Sequence, residues 1–204
     1  MTPIIKPLIL ASKSAGRQEM LRASGLVFET VAARIDEEAI REGMQAEGAK
    51  PRDIADSLAE AKALKISRKF PQGLVIGSDQ LLVGPDGELV SKAESPEYAE
   101  ITLAKLAGRT HRLISAAVIC EGGKAVWRIV DSAKLTMKDM TAQNIITYVE
   151  KYWEHIQYCV GCYRIEAEGA ELFEKVEGNH NTIIGMPLEP MLDYLTLRGY
   201  ERQS

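Results

Sequence analysis

The chain reads as an α/β protein with a mixed, twisted sheet flanked by helices, and three features of its pattern predict this. Short apolar runs such as Leu8-Ile9-Leu10-Ala11 and Leu74-Val75-Ile76-Gly77 are too brief for helices and end in polar clusters. Between them lie segments with apolar residues at helical spacing. Turn signals at Pro85-Asp86-Gly87 and Glu121-Gly122-Gly123 mark hairpins. Parallel neighbours need helical crossovers and hairpins need none, so the two together imply a mixed sheet.

Taken in order, Pro7 to Ala11 predicts a buried strand, Ser12-Lys13-Ser14 a capping turn, and Met20, Leu21 and Ala23 a helix closed by Gly25. Val27 to Ala32 suits a second strand, and Asp36-Glu37-Glu38 opens an acidic helix start. Pro51 fits a first helical position, with the helix continuing to about Phe70. Leu74 to Gly77 then forms a strand ending at Ser78-Asp79-Gln80, which puts Asp79 at a strand terminus. Ser95-Pro96 starts a helix to Leu106, stopped by Gly108, and His111–Cys120 and Lys124–Met137 read as long strands. Thr141 caps a helix to about Tyr152. A strand region from Gly161 to Glu174, a polar loop from Glu177 to Thr182 and a helix after Pro187 complete the expectation. No repeat or linker divides residues 1–204, which are read as one domain.

Composition narrows the function. With 46% hydrophobic and 26% charged residues, the 204-residue chain has enough apolar material for a substantial core. Nothing approaches the ~18 uninterrupted apolar residues of a membrane helix, and the start lacks the pattern of a signal peptide, so a cytoplasmic protein is expected. A net charge of −4 with mixed signs offers no basic face for a nucleic-acid polymer or an anionic membrane. Three cysteines, Cys120, Cys159 and Cys162, do not make a secreted disulfide scaffold.

Several residue groups carry possible chemistry. Ser12, Ser14 and Arg17 surround a helix start, where free backbone N–H groups favour an anion; a plain Ser cap with a solvated Arg explains them equally well. Asp79, beyond a strand end of an open α/β sheet, suits metal binding or proton abstraction, and also suits a simple turn. Lys62 and Lys92 offer cations for a polyphosphate, although solvation is the default for a lone lysine. Asp36-Glu37-Glu38 reads first as helix-start acid and second as a metal or water ligand. The spacing His155-x3-Cys159-x2-Cys162 brings zinc or redox chemistry to mind, but without a second pair it favours buried, unreactive cysteines.

The segments Leu8-Ile9-Leu10-Ala11-Ser12-Lys13-Ser14-x-x-Arg17, Ile35-Asp36-Glu37, Leu58-Ala59-x-x-Lys62-Ala63, Ile76-Gly77-Ser78-Asp79-Gln80, Ser91-Lys92 and Leu106-x-Gly108-Arg109-Thr110-His111 occur in that order. Together with Glu168-Gly169 and Asn181-Thr182-x-x-Gly185-Met186-Pro187-Leu188, they resemble the Maf-like nucleotide pyrophosphatases over nearly the whole chain. That resemblance implies a two-lobed Maf/ITPase-like architecture with a central cleft, a homodimer, and cleavage of a nucleoside triphosphate to monophosphate and pyrophosphate with a divalent metal cation, Mg²⁺ or Mn²⁺.

Site roles come from the same resemblance. Asp79 is implied as general base or metal-holding carboxylate and Glu37 as a supporting acid and second metal ligand. Lys62, Lys92 and Arg17 are implied as phosphate clamps, with Ser12 and Ser14 binding substrate. The Ser-Asp-Gln segment and Glu168 look like the branch acting on 7-methyl-GTP rather than dTTP or UTP, making Gln80 and Glu168 specificity candidates. At the third such position Gly16 replaces a bulky family residue, and Ser91 and Ala93 replace the usual Gly and Pro around Lys92. These departures support a competing expectation, a non-catalytic nucleotide-binding regulator.

Overall fold

In the computed structural model, residues 6–201 are described. Seven strands form one mixed sheet in the order β2-β1-β3-β5-β6-β7, with β4 pairing β3 off this path. They are β1 (Leu8–Leu10), β2 (Glu29–Thr30), β3 (Leu74–Val83), β4 (Leu89–Val90), β5 (Thr110–Glu121), β6 (Lys124–Met137) and β7 (Phe173–Glu177). The helices are α1 (Ala15–Ala23), α2 (Glu37–Ala46), α3 (Pro51–Ser67), α4 (Pro96–Leu106), α5 (Ala142–Ile156), α6 (His180–Ile184) and α7 (Leu188–Leu197).

Two compact units share this chain. The first comprises residues 6–80, 115–131 and 185–201, and the second residues 81–114 and 132–184. In the first unit β1 lies parallel to β3, with Leu8, Ile9 and Leu10 opposite Leu74, Val75 and Ile76. It also lies parallel to β2. These residues of β1 and β3 are at most 3% exposed, the continuous apolar signature of a strand covered on both faces. The second unit's core gathers Leu103, Leu106, Leu113, Val149, Tyr163 and Phe173 from its helices and strands.

Helix α3 carries a charged side chain into the interior of the first unit. Its buried positions Ile54, Leu58, Lys62 and Ile66 recur every four residues, so one stripe faces inward and Lys62 falls within it. Gly77 allows α3 to approach closely: a Cβ there would lie 2.1 Å from the Ala59 carbonyl oxygen and 2.7 Å from the Ala63 nitrogen. The alanines on α3 and the glycine on β3 are therefore two halves of one contact.

Four expectations are corrected. Asp79 does not end a strand, because β3 continues to Val83. It lies between two pairings, past the parallel ladder that stops at Ile76 and before Leu82 and Val83 pair antiparallel with β4. Residues 161–172 are turns rather than strand, and Glu168 opens a 3₁₀ turn, Glu168–Leu172. There the Arg164 carbonyl accepts N–H bonds from both Ala167 and Gly169, which curls the backbone. The expected loop at 177–182 contains the start of α6, where the Asn179 side chain accepts from the backbone N–H of Asn181 and Thr182. Helix α5 runs to Ile156, four residues beyond Tyr152, because Val149 and Ile156 extend its buried stripe.

Candidate active site

The first unit brings Arg17, Glu37, Lys62 and Asp79 together. Lys62 is 7% exposed and Asp79 6% exposed, so neither is the solvated surface group that a lone Lys or a turn Asp suggests. The Lys62 ammonium donates to Asp79 Oδ1 at 2.5 Å and lies 3.0 Å from Glu37 Oε2. A buried charge is costly unless paired, and here one ammonium is shared by two carboxylates. Glu37 remains about half exposed, so it forms the open edge of the cluster.

Local structure explains how Glu37 arrives there. Asp36 caps α2 by accepting from the Ala39 N–H at 3.0 Å, which makes Glu37 the first helical residue. Just upstream, Arg34 has a φ of 47°, and its carbonyl accepts from Lys65 Nζ at 2.5 Å. One turn of α3 thus holds the approach to α2 through Lys65, while Lys62 holds Glu37.

Arg17 enters from α1. The Ser14 hydroxyl caps that helix by accepting from the Arg17 N–H, while the buried Ser12 hydroxyl accepts from the Ser14 N–H at 3.1 Å. The capping role of Ser14 is therefore present, and each hydroxyl keeps its own O–H for donation to a ligand oxygen. The Arg17 side chain is half-buried and anchored, in contrast to an ordinary surface arginine. Its Nε donates to the Gly185 carbonyl at 2.8 Å and its Nη1 to the Ser78 carbonyl at 3.0 Å. Burial lowers the guanidinium pKa from its ordinary value, opposed by the neighbouring Asp79 and Glu37 carboxylates. Gly16 stands in the first turn of α1, and Gln80 Nε2 donates to the Ser115 hydroxyl at 3.1 Å.

Lys92 and Glu168 belong to the second unit. Lys92 is exposed and near enough to Cys159 to oppose the rise in that thiol's pKa. The Glu168 carboxylate is held at both oxygens by Arg164, at 2.8 Å to Nε and 2.5 Å to Nη2, and this pairing lowers its pKa. Two residues earlier Glu166 is exposed and also lies near Cys159. Gly161, in the stretch after Cys159, has no room for a side chain, since a Cβ would meet Tyr163 Cε1 at 2.3 Å.

Burial pushes the thiols of Cys159 and Cys162 up to about 11 and about 12, the opposite of the shift that activates a thiolate. Cys162 is fully buried in the second unit's core, in keeping with the expectation of unreactive cysteines. Sequence reasoning misses Ser78, Ser115, Arg164 and Gly185 as residues of interest. Ser78 and Gly185 do fall inside the quoted motifs, whereas Ser115 and Arg164 carry no local signal.

Fold and site define an α/β protein whose first unit holds a buried Lys62–Asp79 ion pair, with Glu37 at its open edge and Arg17 nearby, beyond the end of a parallel ladder, where open α/β sheets place their ligands. The chain belongs to the Maf-like protein family, whose model matches residues 7–197. A nucleoside triphosphate pyrophosphatase of Sphingopyxis alaskensis is 48% identical over 196 residues, covering 96% of this chain and 99% of that protein. One of Caulobacter vibrioides is 46% identical, covering 96% and 97%. A 7-methyl-GTP pyrophosphatase of Brucella abortus is 43% identical, covering 91% and 92%. No helix among the described residues is long and apolar enough to cross a membrane.

Proposed function

We propose that this protein hydrolyses a nucleoside triphosphate to the monophosphate and pyrophosphate, with water attacking the α-phosphorus and pyrophosphate departing. The observation that carries this reading is the Lys62 ammonium held between Asp79 and Glu37 with Arg17 beside them. Departing pyrophosphate gathers negative charge, and cations already in place stabilise it without reorganisation. Asp79 is assigned as the carboxylate that takes the water proton or holds a metal, and Lys62 and Arg17 as clamps on phosphate oxygens. Lys92 is assigned as a further clamp, and Ser12 and Ser14 as hydroxyl donors.

A divalent cation fits this donor set. Mg²⁺ and Mn²⁺ prefer oxygen ligands, and Mg²⁺ is commonly held by one or two carboxylates together with substrate phosphates; Asp79 and Glu37 would provide that pair. When bound, such an ion neutralises phosphate charge and polarises the reacting phosphoryl group. The charges of Lys62 and Arg17 are balanced by those of Asp79 and Glu37, so a triphosphate needs countercharge beyond these four residues.

For the base, we assign Gln80 and Glu168 to recognition of a purine, with 7-methyl-GTP as the favoured substrate class and Gly16 contributing no side chain at the third position. Support comes from the Brucella abortus relative and from the chemistry of the groups: a carboxylate accepts N–H donors of a guanine edge, and an amide supplies both a donor and an acceptor. The test is pyrophosphate release by purified protein across canonical and modified nucleoside triphosphates, with and without Mg²⁺ or Mn²⁺. Nucleotide binding without release would establish the regulator reading instead, and preference for dTTP or UTP would overturn the assigned base. Light scattering at assay concentration tests the homodimer implied by the family resemblance.

A further inference from the structure

The Arg17 guanidinium is fixed along two of its edges by residues far away in sequence. Nε donates to the Gly185 carbonyl at 2.8 Å, and Nη1 donates to the Ser78 carbonyl at 3.0 Å. The Ser78 hydroxyl, itself fully buried, donates to the same Gly185 oxygen at 3.0 Å. Ser78 therefore grips both partners: its carbonyl holds the arginine, and its hydroxyl holds the peptide that holds the arginine. Gly185 has a φ of 133°, a conformation that disfavours any L side chain, and a Cβ there would sit 3.4 Å from Arg17 Nε. Among the described residues, Nη2 has no hydrogen-bond partner, which makes it the edge left over.

We propose that Ser78 and Gly185 are positioning residues that set the orientation of Arg17, so that its Nη2 edge is the one offered to a phosphate oxygen. This rests on the proposed triphosphate hydrolysis. A planar guanidinium presents its donors in a fixed fork, so fixing Nε and Nη1 also fixes where Nη2 points. Orientation secured before binding lowers the ordering cost of capturing an anion. The arrangement also gives the Gly185-Met186-Pro187 segment a role at the site, with no direct contact to substrate required of it.

The experiment uses the full chain with Ser78→Ala, which deletes the hydroxyl with little change in volume, and Ser78→Thr, which keeps it. Two readouts are taken together: solvent exchange of the Arg17 Nε–H by NMR, assigned with an Arg17→Lys variant, and KM and kcat for pyrophosphate release. The expected result for Ser78→Ala is faster Nε–H exchange and a KM raised about 5- to 10-fold, with a smaller change in kcat, as for loss of one hydrogen bond. Ser78→Thr should stay near wild type in both. Unchanged exchange and KM in Ser78→Ala, or equal losses in the two variants, would overturn the proposal. If wild-type protein releases no pyrophosphate from any nucleotide, the enzymatic reading fails, while the Nε–H exchange still decides whether Ser78 anchors Arg17.

Discussion

Two buried polar clusters handle burial in opposite ways. In the first unit Lys62 and Asp79 remain together as an ion pair, joined by Glu37 and Arg17. In the second, His111 hydrogen-bonds to the Tyr163 hydroxyl at 2.7 Å and packs beside Phe173, with its Nδ1 buried and unpartnered. Among the described residues nothing charged compensates this imidazole, and burial pushes its pKa down to about 4. A neutral hydrogen-bonded pair suits a core that must stay in one arrangement. A paired charge cluster with an exposed edge suits a site where an anion can exchange for an internal partner.

The largest test of this contrast is Asp79→Asn. Loss of a positioned carboxylate should reduce turnover about 10²- to 10⁴-fold while triphosphate binding is largely retained. His111→Leu should leave turnover close to wild type once stability is matched. Near-normal pyrophosphate release by folded Asp79→Asn would remove the functional side of the comparison.

Next comes acid stability of the second cluster. The folded His111 pKa is depressed below its unfolded value of about 6.5. Its neutral form therefore supplies stability that is complete above about pH 6.5 and is progressively lost as pH falls toward about 4, where the folded imidazole also takes up a proton. The whole increment is on the order of 3 kcal/mol. Urea unfolding measured from pH 7 to pH 4 should show this slope in wild type and a flatter one in His111→Leu; equal slopes would refute the account.

Gly77→Ala probes the packing that brings Lys62 to Asp79. A methyl group aimed at the α3 backbone should cost about 1–3 kcal/mol and lower turnover as well, because α3 must withdraw from β3. A variant with wild-type stability and activity would sink this link. The smallest effect is expected for Glu168→Gln. The proposed base-reading role predicts a reduced preference for a methylated guanine, by about tenfold or less. Glu168 is already engaged by Arg164, whereas Glu166 is exposed, so Glu166→Gln is the control that assigns the recognition to one carboxylate. Unchanged efficiency ratios for Glu168→Gln across the nucleotide panel would remove it from specificity.

Much of the fold is legible in the sequence because it depends on local signals. Apolar runs, Ser14, Ser95 and Thr141 at helix starts, and the glycine turns place nearly every helix and strand of the first 156 residues. The sequence also offers a sign that Lys62 is buried, since it continues the series Ile54, Leu58 and Ile66 on α3. Residues 161–184 are less legible: the curl at Arg164 and the left-handed Cys162 backbone depend on hydrogen bonds and packing rather than periodicity.

By itself, then, the sequence determined the alternation of elements, the covered first strand, the motif residues Arg17, Glu37, Lys62 and Asp79, and the family to which they point. Tertiary structure alone decided that one ammonium bridges two carboxylates, that β3 runs through Asp79 by changing partners, and that Arg164 claims Glu168. It also decided that Ser78 and Gly185 meet at Arg17 across 107 residues of chain. Periodicity and capping act over a few residues and leave a trace in sequence. Charge pairing and close backbone approach act through space, as where α3 packs against Gly77 and Lys62 meets Asp79.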